Sequence, residues 1–232
     1  MSHTDHLSKP ALRVADKPKA ILFDLDGTLL DTAADLHMAL NQVLRAHKLP
    51  LVELEDARPV ASHGSNGLLR LGFGDGFHDD NRDALRAAFL AEYAKDTSSR
   101  TVFFEGIEAL LEQLTAADIA YGIVTNKPTQ FTHALLPQFP LLADCRAVVC
   151  GDTLAVAKPD PAPILHAAKL LGVEPHQCWY VGDAERDIQA GRAAGMFTVL
   201  ANYGYIGPED TPAAWLADAH IDHALALTEL WR

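Results

Sequence analysis

The apolar residues Ala20-Ile21-Leu22-Phe23 run directly into Asp24-Leu25-Asp26-Gly27-Thr28-Leu29, and this junction constrains the fold more than any other part of the chain. A short, continuous apolar run bounded by turn signals reads as a buried strand of a parallel sheet. Two carboxylates two positions apart at its carboxyl end project toward the same side of that sheet. Gly27 frees the backbone for a sharp turn, and the Thr28 hydroxyl is expected to hold it. A strand ending in an Asx-turn accounts for a bare Asp-x-Asp-Gly. The fuller Asp-x-Asp-Gly-Thr after an apolar strand favours chemistry, with one aspartate as nucleophile and its neighbour handling protons.

Strand-like runs at 20–24, 119–125, 146–150, 178–182 and 197–200 alternate with helix-like segments. This alternation predicts an α/β fold with a parallel sheet. Asp24, Thr125 and Asp183 stand at strand carboxyl ends, where open α/β sheets bind their ligands, so neighbouring strands would bring them to one crevice. Between Asp31 and Ser99 the pattern changes. Residues 33–47, with Leu36, Leu40, Val43 and Leu44, and residues 81–94, with Leu85, Ala88 and Phe89, have helical spacing. Residues 62–77 between them are Gly-rich and polar, and 62–70 within them read as a loop. No strand signal interrupts this stretch, which is far longer than an ordinary βα connection. The expected organisation is therefore a flexible extension at 1–18, a core made of 19–32 and 100–232, and an inserted helical cap at 33–99.

Three further segments carry candidate chemistry. In Val124-Thr125-Asn126-Lys127-Pro128, a hydroxyl and free amides at a helix start suit phosphoryl oxygens; a plain N-cap with a turn fits equally well. In Lys158-Pro159-Asp160-Pro161, the lysine precedes a helix expected from about Pro161 to Leu171. The segment alone favours a surface lysine, although its place between two strands also suits a counter-charge to an acidic crevice. In Val181-Gly182-Asp183-Ala184-Glu185-Arg186-Asp187, two carboxylates four apart can face one point. The helix dipole alone would explain Asp187, but it explains Asp183 less well. Asp24, Asp26, Asp183 and Asp187 in one crevice need a compensating cation. An all-oxygen set that also handles phosphate points to Mg²⁺ rather than zinc, and the 11 histidines show no zinc-ligand spacing.

Composition narrows the partners. With 19 Lys and Arg against 31 Asp and Glu, the net charge of −12 argues against nucleic acid, whose phosphates need clustered cations. No apolar run reaches membrane-spanning length, and residues 1–19 carry no signal-peptide core. The odd set Cys145, Cys150 and Cys178 has no Cys-x-x-Cys pair and reads as reduced thiols of a cytoplasmic protein.

The four motifs in this order, spanning the chain from Ala20 onward, resemble those of haloacid dehalogenase-superfamily phosphatases. The insert is similar to the helical cap of the phosphoglycolate phosphatase subgroup. The resemblance implies a Rossmann-like core, a small phosphorylated metabolite as substrate, and Asp24 as nucleophile with Asp26 as general acid and base. It further implies Gly27, Thr28, Thr125 and Asn126 around the phosphoryl group and Lys158 balancing charge. Mg²⁺ would be held by Asp24, the Asp26 carbonyl and Asp183, with Asp187 supporting or ligating. Family members of this kind leave monomer and homodimer both open. The tail Asn202-Tyr203-Gly204-Tyr205-Ile206 and Pro208-Glu209-Asp210, with Trp215 and Ala217-Asp218, resembles the N-acetylmuramic acid 6-phosphate phosphatase branch and is expected outside the reaction centre.

In the cap, His63, Ser65, Asn66 and Arg70 are candidate readers of the leaving group, with a solvated loop as the equal alternative. His63-Gly64-Ser65-Asn66 departs from the pattern of either branch. A phosphomutase shares the motifs and remains an alternative. A dehalogenase would leave Asp26 without a role, and a phospho-accepting signalling receiver would need no cap.

Overall fold

The computed structural model describes residues 16–231, so most of the expected 1–18 extension lies outside the described residues. In chain order the elements are β1 (Ala20–Phe23), β2 (Leu30–Asp31), α1 (Ala33–Ala46), α2 (Leu54–Ala57), α3 (Gly64–Phe73) and α4 (Asp79–Tyr93). Then come β3 (Val102–Phe103), α5 (Ile107–Ala116), β4 (Ala120–Val124), α6 (Thr129–Leu135), β5 (Ala147–Val149) and α7 (Ala162–Leu171). The chain closes with β6 (Cys178–Gly182), α8 (Glu185–Ala193), β7 (Phe197–Ala201) and β8 (Ala219–Ile221).

Six strands form one parallel sheet in the order β5-β4-β1-β6-β7-β8. Alternate residues of β1 enter different cores. Ile21 and Phe23 pack with Leu110 and Leu114 of α5, whereas Ala20 and Leu22 pack with Ile164 and Ala167 of α7. Helices thus cover both faces, which is why these strands are apolar throughout rather than alternating. Truncating the fully buried Phe23 to alanine should cost about 3–5 kcal/mol. The α/β, Rossmann-like reading of the sequence agrees with this sheet.

Helices α1 to α4 build a separate core. Leu36, Leu40 and Leu44 of α1 meet Leu68 and Leu69 of α3 and Leu85 and Phe89 of α4. Phe131 of α6 and Tyr205 of the tail join this cluster from the body. Among the described residues, no helix is long and apolar enough to cross a membrane.

Three expectations change. Residues 62–70 are not a loop: 62–77 carry α3 flanked by 3₁₀ turns. Leu68 and Leu69 supply its buried stripe, and Gly72 lies so close to Leu40 and Leu44 that a side chain there would press on both. Gly72 serves helix packing. The insert is also bracketed by strands, since β2 pairs antiparallel with β3. Finally, β8 adds a sixth strand, with only Ala219, His220 and Ile221 to mark it.

Candidate active site

Asp24 extends β1 by one residue, its amide donating to the Val181 carbonyl at 2.9 Å. Its Oδ1 accepts from the Leu25 amide at 2.7 Å. Leu25, Leu29 and Leu30 are fully buried, and the amides of Leu29 and Leu30 donate back to the Leu25 carbonyl. The apolar side chains therefore anchor the turn that presents Asp24 and Asp26. Gly27 has φ +89°, and a side chain there would collide with the Asp183 carboxylate. The Thr28 hydroxyl was expected to hold its own turn; it donates across the site to Asp183 Oδ1 at 3.2 Å instead.

Asp26 is fixed through one oxygen. Its Oδ1 accepts from Thr32 Oγ1 at 2.6 Å and Lys127 Nζ at 2.9 Å. Lys127, which the sequence reading passed over, is buried and also lies 4.7 Å from the Tyr93 ring centroid. Desolvation weakens its ammonium, but Asp26 and Tyr93 more than offset this and hold its pKa above the usual lysine value. Thr125 is buried on the cleft, its Oγ1 accepting from the Lys127 amide at 3.1 Å.

Lys158 is buried, not superficial. Its Nζ lies 3.0 Å from Asp24 Oδ1 and 2.7 Å from Asp187 Oδ1, and donates to the Val124 carbonyl at 2.7 Å and the Tyr180 hydroxyl at 2.8 Å. The Asn126 side chain clasps its backbone, donating to the Lys158 carbonyl at 2.9 Å and accepting from its amide at 3.0 Å. Asn126 thus positions Lys158 through its side chain. The Lys158-Pro159 peptide is cis.

Asp24, Asp183 and Asp187 are buried, and each offers a carboxylate oxygen within 4.8 Å of the others. Asp187 also caps α8 by accepting from the Ala184 amide at 3.0 Å, while its carboxylate faces those of Asp24 and Asp183. Burial, with Asp187 and Asp24 nearby, pushes the Asp183 carboxyl up to about 7. Burial likewise raises Asp24 above the usual carboxylate range against the pull of Lys158. Arg186 reaches within 3.9 Å of Asp24 Oδ2. Three hard oxygen donors, crowded and costly to ionise together, fit a divalent cation such as Mg²⁺.

The tail was expected outside this centre. It lies within it: the Tyr205 amide donates to Asp183 Oδ2 at 2.8 Å. The Tyr205 hydroxyl donates to Asp31 at 2.9 Å and accepts from the Thr32 and Ala33 amides at 2.6 and 2.9 Å. The insert also reaches the cluster, as Ser62 Oγ donates to Asp183 Oδ2 at 2.7 Å.

Above this floor opens a cleft of about 300 Å³ lined by Asp24, Asp26, Thr125, Asn126, Lys127 and Arg186 below and by the insert above. His63, Ser65 and Asn66 line it. Arg70 does not; it is exposed, with its guanidinium 5.8 Å from the Phe77 ring centroid. The insert's arginine at the cleft is Arg86. Its heptad relation to Tyr93 on one helix face was the available sequence signal.

This arrangement defines a phosphoryl-handling α/β hydrolase site, and comparison with known proteins agrees. Residues 21–201 match the haloacid dehalogenase-like hydrolase family. A phosphoglycolate phosphatase of Xanthomonas campestris pv. campestris is 44% identical over 214 residues, covering 91% of this chain and 96% of the relative. An N-acetylmuramic acid 6-phosphate phosphatase of Pseudomonas aeruginosa is 39% identical over 213 residues, covering 91% and 94%. The crystal structure of a predicted phosphoglycolate phosphatase from Haemophilus somnus 129pt superposes with a TM-score of 0.81 at 26% identity, covering 92% of this chain and 98% of that one. The chain belongs to the haloacid dehalogenase-like hydrolase family. Within it, the chain stands with the phosphatases.

Proposed function

We propose that this protein is a Mg²⁺-dependent phosphatase that hydrolyses a small phosphate monoester through an aspartyl-phosphate. The observation that carries the reading is the pairing of Asp24 and Asp26 on the cleft floor beside the buried Asp24, Asp183 and Asp187 cluster. Asp24 Oδ1 is held by the Leu25 amide and Lys158, so Oδ2 is the oxygen that attacks phosphorus. As that bond forms, the bond from phosphorus to the leaving oxygen breaks, and Asp26 gives the leaving oxygen a proton. Both bonds to Asp26 fall on Oδ1, which leaves Oδ2 to carry the proton. Ionised again, Asp26 takes a proton from water; the water oxygen bonds to phosphorus and Asp24 is released. Asp24, the Asp26 carbonyl, Asp183 and Asp187 would hold Mg²⁺, which supplies positive charge for the phosphoryl oxygens. Lys158 and Lys127 are already in place to hold the two aspartates, so little reorganisation accompanies the reaction.

Residues 33–99 act in this reading as a cap on the core formed by 19–32 and 100–232, closing about the β2–β3 ribbon to keep bulk water out. The natural substrates to consider are 2-phosphoglycolate and N-acetylmuramic acid 6-phosphate, the compounds in the relatives' names. Three free thiols suit a reducing cytoplasm.

The test is phosphate release from a panel of phosphorylated metabolites with Mg²⁺ or chelator, ranked by kcat/KM. We expect many turnovers per chain, loss on chelation and a phosphate label trapped on Asp24. Interconversion of sugar phosphates without net release would indicate a mutase instead. A single phosphorylation without turnover would indicate a receiver.

A further inference from the structure

Arg86, Phe89, Leu90 and Tyr93 of α4 all line the cleft, and their spacing of three, four and seven is that of one helical stripe. Tyr93 is the stripe's inner end. Its ring lies 4.7 Å from Lys127 Nζ, which in turn bonds Asp26, and 5.2 Å from the Phe131 ring. At a rise of about 1.5 Å per residue, the Arg86 backbone stands roughly 10 Å farther along the helix axis. Phe89 and Leu90 make the interval apolar. Arg86 is exposed and makes no side-chain hydrogen bond or ion pair with any other described residue. The other two fixed cations at the cleft face the catalytic aspartates, Lys127 at 2.9 Å from Asp26 and Arg186 at 3.9 Å from Asp24.

We propose that α4 is the specificity-determining wall of the cleft, with Arg86 binding a carboxylate carried by the leaving group well away from phosphorus. Phe89 and Leu90 pack against the apolar carbon skeleton between the two anionic ends. A guanidinium presents a planar pair of donors that matches a carboxylate, and a concave, partly apolar wall strengthens that contact. The geometry selects for a sugar-sized leaving group bearing an acidic side arm. A carboxylate only two bonds from the bridging oxygen stays beside the phosphoryl group and leaves the strip and Arg86 unused. This inference rests on the phosphatase reading above.

The experiment compares wild type, Arg86→Gln and Arg86→Lys on N-acetylmuramic acid 6-phosphate and on N-acetylglucosamine 6-phosphate, which lacks the acidic arm. A charge-assisted hydrogen bond of about 1.5–3 kcal/mol corresponds to roughly 10- to 150-fold. The ratio of kcat/KM for acid over neutral sugar should therefore fall by about that factor in Arg86→Gln, through KM rather than kcat. Arg86→Lys should recover part of the ratio. Equal losses on both sugars, or an unchanged ratio, overturn the inference while the phosphatase reading stands. A wild-type preference for 2-phosphoglycolate over both sugars overturns it as well. Absence of phosphate release from every ester by the wild type would overturn both.

Discussion

On the floor of the cleft the charged side chains are held by one another. Lys158 sits between Asp24 and Asp187, and Lys127 beside Asp26 with the Thr32 hydroxyl as a third partner. On the wall supplied by α3, the turn before it and α4, the side chains of His63, Ser65, Asn66 and Arg86 line the same cleft without a hydrogen bond to another described residue. The difference follows from burial. A buried carboxylate or ammonium must be paired or it neutralises, so the floor can exist only as a completed network. The wall keeps its polar groups solvated until a ligand replaces the water. A fixed floor suits a reaction whose charge distribution is the same for every phosphate ester, while an open wall leaves the choice of leaving group to residues that can change without unfolding the protein.

The sharpest way to break this comparison is to remove one residue from each side. Asp24→Asn keeps the shape of the floor but removes the proposed nucleophilic carboxylate, and kcat should fall by roughly 10⁴-fold or more. His63→Ala on the wall should alter KM by less than about tenfold. Comparable losses in kcat from the two variants would erase the distinction between reacting floor and selecting wall.

Stability gives the next contrast. Lys158→Met leaves Asp24 and Asp187 facing each other without their shared cation, a loss of about 3–5 kcal/mol. The exposed Arg86→Gln should stay within about 0.5 kcal/mol. Urea unfolding of the two variants measures both, and a Lys158→Met midpoint near wild type would mean that the floor is not a cooperative unit.

The acidic cluster should also make stability depend on pH in a stated direction. Asp183 titrates near 7 in the folded protein and near 3.8 when free, so between those values the folded state binds the extra proton. Stability of the metal-free protein therefore falls as pH rises from about 4 to about 7, then levels off. Mg²⁺ held by the proposed site would compete with that proton. Added Mg²⁺ should accordingly raise Tm more at pH 8 than at pH 6, as scanning calorimetry with and without chelator would read. An equal Mg²⁺ shift at both values would detach the metal from Asp183.

The smallest effect concerns the one bond, among the described residues, through which the insert touches the cluster directly by a side chain, Ser62 to Asp183. Ser62→Ala should cost about 0.5–1.5 kcal/mol. It should also speed hydrogen exchange in α3 more than in β1. Uniform acceleration across both elements would show that Ser62 supports the whole body rather than the junction.

Much of the floor was legible because each contribution is local. A buried apolar run ending in a carboxylate, as at Asp24 and Asp183, states in a few residues both the strand and the place where it opens to a ligand. Lys158 was harder. Its segment looks like any exposed lysine, and only its contacts with Val124, Tyr180, Asp24 and Asp187 reveal a buried charge. Lys127 carries no local signal of its burial, because its partner Asp26 lies 101 positions away. The helix α3 was hidden by glycine, a poor helix former in isolation, which here permits close approach to α1. Arg70 and Arg86 look alike in sequence, and the facing of each helix distinguishes them.

The sequence by itself determined five of the six strands of the main sheet, their polar ends and the interruption after the first motif, because apolar periodicity and turn chemistry act over a handful of residues. Only the tertiary structure decided which ends meet. The order β4-β1-β6-β7 sets the loops bearing Lys127, Asp26, Asp183 and Tyr205 side by side, since adjacent strands stand about 4.8 Å apart. That proximity brings Tyr205, from a tail that looked remote, onto Asp183 and the start of α1. Burial then does what no local pattern can: it forces each charge brought together there to find a partner, a proton or a metal ion.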